Sequence, residues 1–544
     1  MTHIPWWRHA AFYQIYPFSF QDTTGNGMGD LQGIIDRLGY LQDLGVDALW
    51  ISPCFPSPLA DWGYDVSGYT DIHPELGTLD TLDRLLDAAH RRGLRVLMDF
   101  VPNHTSEQHT WFQQARQSRR NPKRDWYIWR DAGPDGGLPN NWLGYFSGPA
   151  WEWEASTQQY YLHSFLKEQP DLNWRNPELR QEMQGVLRFW LDRGVDGFRI
   201  DSILPLFKDA LFRDDPPHIG APVGKDMGPA GLQDRHYSAN QPEVHALLRE
   251  WRALLDEYPG DRMMMGEVYT MDPAVGAAFH GQNDELNLVL NMALLNLPWR
   301  VEPIREFVAG YEASLPADAD PTLVLGSHDE RRLATRLGEA QTRVAAMLLL
   351  TLRGAPVIYY GDEIGMVDGR IPPHLQRDPW PKSSGLPQHS RDPARTPMQW
   401  EAGPGAGFTP VETNSGAVIT WLPIHSDHRQ VNVRAQQQEP RSLLNLYRKL
   451  LRLRRSSAAL RAGSYRPAYE APRDTYVYYR TLGEQSFLVA LNFGADDLGL
   501  TLADQRPGRV LISSWLDREE QVLLGNFHLR AHEGIIVQLE PEAG

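Results

Sequence analysis

Short apolar runs alternate with amphipathic helical stretches through most of this chain, and that alternation limits its fold more than any other feature. Runs at 11–16, 46–52, 95–101, 197–201, 263–268, 286–290, 323–327 and 356–360 read as strands. Helical spacing is plainest over Leu31–Leu44, where Leu31, Ile34, Ile35, Leu38 and Leu41 share a face, and it recurs over 78–92 and 177–193. Strand followed by helix, repeated, builds a parallel sheet with right-handed crossovers. Eight such units predict an α/β fold of the (β/α)8 TIM-barrel type, with its chemistry at the C-terminal ends of the strands.

Two stretches interrupt the alternation. Residues 103–170 are rich in Trp, Gly, Pro and Asn (Asp125-Trp126-Tyr127, Asn140-Asn141-Trp142, Trp151-Glu152-Trp153) and are too long for an ordinary βα loop. They predict an inserted domain over the barrel mouth. Residues 368–424 form a Pro/Gly-rich rim segment after the eighth strand, and 214–241 a further polar loop. Beyond a helix at 443–460 the pattern changes to short β runs at 475–479, 485–491, 509–512 and 534–539, predicting a C-terminal antiparallel β-sandwich over 464–544. The expected domains are therefore a barrel over 1–102 and 171–463, an insert over 103–170 and the C-terminal β domain.

With 544 residues the chain can bury a large core and carry such attachments. A net charge of −16 argues against nucleic acid and anionic membrane surfaces and favours a neutral small-molecule substrate. Cys54 is the single cysteine, which excludes an intramolecular disulfide or a Cys-based metal cluster. No apolar run is long enough to span a bilayer, and residues 1–7 show no basic-then-apolar leader. A cytoplasmic monomer or homodimer is the expectation.

The chemistry centres on Gly197-Phe198-Arg199-Ile200-Asp201. Side chains two apart on a strand share a face, so Arg199 stands beside Asp201 and keeps it ionised, as a carboxylate nucleophile requires. Other strands end alike: Asp99-Phe100-Val101-Pro102-Asn103-His104, Gly266-Glu267-Val268 and Ser327-His328-Asp329-Glu330. One aspartate at a strand end is usually a helix cap. Four coincident cases point instead to converging carboxylates whose pKa values are driven apart, one becoming an acid while another stays charged.

These four segments resemble the ordered signature regions of the α-amylase superfamily, glycoside hydrolase family thirteen. Gln169-Pro170-Asp171-Leu172-Asn173 and Arg395-Thr396-Pro397-Met398-Gln399-Trp400 are similar to hallmarks of its branch of α-glucosidases, oligo-1,6-glucosidases and glucosyl-transferring isomerases. The resemblance implies Asp201 as nucleophile, Glu267 as general acid/base and Asp329 as the carboxylate that grips glucose hydroxyls, in a retaining mechanism. It implies glucose contacts for His104 and His328. It also implies a pocket closed by Asp61 and Tyr64, with Arg395 paired to Asp61 and Tyr64 stacking on the sugar. Asp99 is expected to support the site. Ser202, directly after the nucleophile, stands where the branch links Val to α-1,6 preference and a smaller or more polar residue to α-1,4 preference. The implied activity is exo-acting release of glucose from short α-glucosides, with oligo-1,6-glucosidase or sucrose and maltose isomerase as alternatives. A non-catalytic transporter-associated relative would lack the carboxylates.

Asp22-Thr23-Thr24-Gly25-Asn26-Gly27-Met28-Gly29-Asp30 alternates oxygen ligands with glycines, the spacing of a calcium loop. Gly33 at the twelfth position rules out an EF-hand. The resemblance places a structural Ca2+ or Mg2+ here on Asp22, Thr24, Asn26, the Met28 carbonyl and Asp30, with no cofactor for the chemistry. A plain Gly-rich turn is the alternative.

Overall fold

The structure, a computed structural model, describes residues 4–218, 233–410, 418–502, 504, 506–518, 522–524 and 526–541. Parts of the expected rim loops (219–232 and 411–417) and of the C-terminal domain therefore lie outside the described residues. Eight strands form one nearly closed sheet: β1 (Phe12–Ile15), β2 (Ala48–Ile51), β3 (Arg95–Phe100), β4 (Gly197–Ile200), β5 (Met263–Glu267), β6 (Leu288–Leu290), β7 (Thr322–Val324) and β8 (Ala355–Tyr359). The hydrogen-bonded order is β7-β8-β1-β2-β3-β4-β5-β6. Every neighbouring pair is parallel, and β6 packs beside β7 at the seam.

Side-chain alternation divides the core in two. Phe12, Ala48, Trp50, Leu97, Met263, Met265, Leu288 and Leu290 point inward and fill the barrel. Their sequence neighbours Tyr13, Leu49, Ile51, Met98, Met264 and Val289 point outward beneath the helices. Both faces are buried, so the strands read as apolar runs rather than as alternating ones.

The helices begin where their caps allow. Asp30 accepts from Gly33 N and starts Leu31–Leu44, which stops at Gly45 with φ 98°. Thr78 caps Leu79–His90, and Asn176 with Pro177 opens Pro177–Asp192. The helix expected at 443–460 is two: Leu443–Ser456 and Ala458–Ala462. Ser457 leaves helical geometry (φ −115°, ψ 113°) because its hydroxyl caps the second segment, accepting from Leu460 N.

Between β3 and β4 lies a three-stranded antiparallel sheet of Trp129–Arg130, Gln159–Leu162 and Trp151–Glu154. Phe112 packs against Tyr127, Trp129 and Tyr161 beneath it. It is tied to the barrel by buried Lys208, whose Nζ lies 2.7 Å from Asp171 Oδ2 and 3.0 Å from Asn103 Oδ1. From Ser464 the described residues form an antiparallel sheet of eight strands in which hydrogen bonds link all members. The sheet curls so that Leu500 and Leu529 share a cluster with Val477 and Leu488. Among the described residues no helix is long and apolar enough to cross a membrane.

Candidate active site

The sheet register assembles the first half of the site. Asp99 on β3 stands opposite Arg199 on β4, whose neighbour β5 ends in Glu267. Arg199 is fully buried. Its Nη1 donates to Asp99 Oδ1 at 2.9 Å and to Asp201 Oδ1 at 2.6 Å. Its Nη2 lies 2.7 Å from Glu267 Oε2 but without hydrogen-bond geometry. Trp50 Nε1 and the Tyr64 hydroxyl also donate to Asp99. Burial pushes the carboxyls of Asp201 and Glu267 up to about 7 and that of Asp99 up to about 6, against the pull of Arg199. One guanidinium cannot neutralise three carboxylates, so the cluster retains a proton near neutral pH. Toward Arg199, Asp201 holds a short hydrogen-bonded ion pair and Glu267 only a charge contact, which favours ionised Asp201 and protonated Glu267 although Ser202 N–H also donates to Glu267.

The second half is built around two arginines of the rim. Arg391 Nη2 reaches Asp61 Oδ1 and Asp378 Oδ1, both at 2.7 Å, while its Nη1 lies 3.2 Å from Asp329 Oδ1. Arg395 Nη2 pairs with Asp329 Oδ1 at 3.0 Å, and its Nε donates to the His328 carbonyl at 2.9 Å. This corrects the expectation that Arg395 pairs with Asp61. A four-residue offset along Asp392–Arg395, a 3-10 turn, aims Arg391 at the closed end and Arg395 at Asp329.

His328 is neutral, because burial pushes its imidazole down to about 3. Gln14 Nε2 approaches its Nδ1 at 2.7 Å, which leaves the Nε2 proton for the Tyr64 hydroxyl at 2.8 Å and Asp329 Oδ2 at 3.2 Å. Burial alone would raise the Asp329 carboxyl. Neighbouring charge outweighs it and holds Asp329 well below the usual carboxylate range: His328, protonated where Asp329 titrates, then Arg391 and Arg395. Asp61, buried against Gln169 as well as Arg391, is pushed up by burial. Tyr64 is buried with one ring face stacked on His328, centroids 5.4 Å apart. His104 is buried and held neutral by burial at about 4, its Nε2 3.0 Å from the Tyr64 carbonyl. Ser202 lies half-buried against Glu267. A cavity of about 360 Å3 opens beside Asp329 and Arg391, lined also by Glu330, Trp380 and His389.

Residues 14–463 match the model of the alpha amylase catalytic domain. The chain belongs to the α-amylase family. It is 39% identical over 580 residues to a salivary alpha-glucosidase of Aedes aegypti, covering 99% of this chain and 96% of that one. An oligo-1,6-glucosidase of Parageobacillus thermoglucosidasius is 36% identical, with 98% of this chain and 99% of that one covered. Among solved structures, the alpha-glucosyl transfer enzyme XgtA superposes with a TM-score of 0.92 at 38% identity, covering 99% of this chain and all of that one. As a member of this α-amylase branch the protein is a glycoside hydrolase.

Arg391 and Asp378 belong to the rim cluster, and sequence reasoning missed both. Arg391 lies four positions before the hallmark arginine, and a second arginine so close was a signal to weigh both. Asp378 sits in a Pro-rich stretch with no periodicity to mark it.

The 22–30 loop does not present the ligand set expected of a metal site. Asp22 Oδ1 accepts from Thr24 N and Gly25 N at 2.9 and 2.8 Å, and its Oδ2 from Gly27 N and Thr409 Oγ1 at 2.9 and 2.7 Å. Asp30 accepts from Thr23 N and Gly33 N, both at 2.7 Å. Asn26 Oδ1 is taken by Met28 N and its Nδ2 by Glu75. These oxygens already close the loop on protein donors, and Thr24 adds no charge. The residues do not fit a tightly held Ca2+ or Mg2+ in this arrangement.

Proposed function

We propose that the protein is an exo-acting, retaining α-glucosidase that releases glucose from the non-reducing end of short α-glucosides, with α-1,4 linkages preferred. The observation that carries this reading is the buried Asp61–Arg391 ion pair behind Tyr64, which shuts the pocket at the end where a longer chain would have to leave. Glucose enters with its non-reducing end against that pair, and His104, His328, Asp329 and Arg391 offer donors and acceptors to its hydroxyls. Protonated Glu267 gives its proton to the glycosidic oxygen while Asp201 attacks the anomeric carbon. The aglycone leaves and a glucosyl ester forms on Asp201. Glu267, now a carboxylate, takes a proton from water, which attacks the same carbon and frees Asp201. Asp329, held anionic by Arg391 and Arg395, stabilises the positive charge that develops on the ring in both steps.

For linkage, Ser202 leaves room beside the leaving sugar and adds a hydroxyl, whereas a branched apolar side chain would narrow it for an α-1,4-linked ring. A glucosyl-transferring outcome is the second reading, favoured by the likeness to XgtA. Chromatography of products from maltose, isomaltose, sucrose, trehalose and starch tests the proposal. Free glucose, faster from maltose than from isomaltose and slow from starch, is expected. Rapid release of internal oligosaccharides from starch overturns the closed pocket, and rearranged disaccharide in place of glucose overturns hydrolysis.

A further inference from the structure

Ser202 departs from ordinary backbone geometry: its φ is 42°, in the left-handed region that non-glycine residues enter at a cost. At this turn Ser202 N–H donates to the Glu267 carboxylate, 3.1 Å to Oε2, and the left-handed φ carries the chain on so that Ile203 N–H meets the Glu267 carbonyl, 3.2 Å away. The buried Ile203 side chain closes over Gly266, where an added β-carbon would come within 2.2 Å of its Cδ1. The turn after the nucleophile is thus fastened at three points to the strand end that carries the second carboxyl.

We propose that the strained main chain of Ser202 positions Glu267. Its N–H fixes the carboxyl oxygen that faces Arg199 and sets the direction from which the proton is delivered. This rests on Glu267 being the acid/base. Residue 202 then has two separable duties, a side chain toward the leaving sugar and a backbone donor toward Glu267. The groups facing Glu267 are Arg199 at 2.7 Å, Asp201, Asp329, Asp99 across Arg199, and Tyr145. None of them replaces a neutral donor on the same oxygen. Losing the N–H therefore favours the protonated carboxyl and frees its rotation.

The test compares Ser202→Ala with its amide-to-ester counterpart, in which lactic acid takes the place of alanine at 202. The two lack the same hydroxyl and differ in the backbone donor at 202 and in a weaker acceptor at the Asp201 carbonyl. Relative to the amide, the ester is expected to lose about tenfold in kcat/KM on maltose. It should lose less than about twofold on α-glucosyl fluoride, whose leaving group needs no proton, and its basic limb on maltose should move up by about one pH unit. Ser202→Gly, which relaxes the left-handed turn and keeps the N–H, should leave that limb within about 0.3 pH unit of wild type. An ester whose limb and maltose-to-fluoride ratio match the amide overturns the proposal. The underlying reading fails separately if Glu267→Ala keeps its kcat/KM on maltose while losing it on the fluoride.

Discussion

Two arginine-centred clusters meet where Asp329 acts on Asp201 and Glu267, and they differ in charge balance. On the reacting side a single guanidinium, Arg199, serves Asp99, Asp201 and Glu267. On the binding side Arg391 and Arg395 serve Asp61, Asp329 and Asp378. The outcomes differ, although Asp61 on the binding side is still pushed up by burial. Asp201 and Glu267 are pushed up to about 7, while Asp329 and Asp378 are held below the usual range despite burial. Burial creates the cost of charge, and the charges that face a carboxyl weigh against that cost in deciding whether it holds a proton or stays ionised. On the proposed mechanism, a site that must move a proton keeps the first cluster under-neutralised, while Asp329 and Asp378 in the second stay anionic around a developing cation.

The largest expected effect is on the reacting side. Asp201→Asn should lower kcat on maltose by roughly three powers of ten or more with the near-UV dichroism unchanged, because it removes the covalent step. More than about a tenth of wild-type activity would remove Asp201 from the role.

On the binding side, Arg391→Ala should cost about a hundredfold or more in kcat/KM on maltose, since three carboxylates lose a shared buried partner. It should also raise the rate on maltoheptaose relative to maltose as the closed end opens. If Arg395→Ala does this and Arg391→Ala does not, the closed end has been assigned to the wrong arginine. A milder change is expected from Asp378→Asn: KM up about tenfold with kcat within about threefold, because Asp378 orients Arg391 without reaching the sugar. A fall in kcat alone would contradict that.

The same comparison shows what could be read from the chain. The eight strands and the reacting cluster were legible, because two-residue periodicity fixes which side chains share a face and Arg199-Ile200-Asp201 carries its partner with it. The binding cluster was only half legible. Asp61 and Asp378 meet Arg391 across 330 and 13 residues of chain, through rim loops without periodicity. There the hallmark at Arg395 drew the pairing to the wrong arginine. The left-handed turn at Ser202 was invisible for a different reason, since serine carries no mark of positive φ as glycine would. In the 22–30 loop, ligand spacing was legible but not the N–H donors that engage the carboxylates, because those are backbone groups common to every sequence.

The smallest expected effect tests the comparison most directly, through stability. The folded-state pKa of Glu267 is raised from 4.5 to about 7 by burial. Between those values the folded protein binds a proton that the unfolded chain releases, so this group favours folding most below about pH 4.5 and progressively less as pH rises to 7. Glutamine imitates the protonated form at every pH. Glu267→Gln should therefore match wild-type Tm near pH 4.5 and exceed it by a few degrees at pH 8, an upper bound of about 3 kcal/mol from the shift. Asp329 runs the other way. Its pKa is lowered on folding, so its contribution is present above the unfolded value near 3.8 and is lost as pH falls. Asp329→Asn should lower Tm at pH 8, with the difference shrinking toward pH 3. Scanning calorimetry of both variants across pH decides the matter. Shifts of the same sign at pH 8 would mean that the facing charges do not divide the pocket, and that burial alone sets the state of its carboxyls.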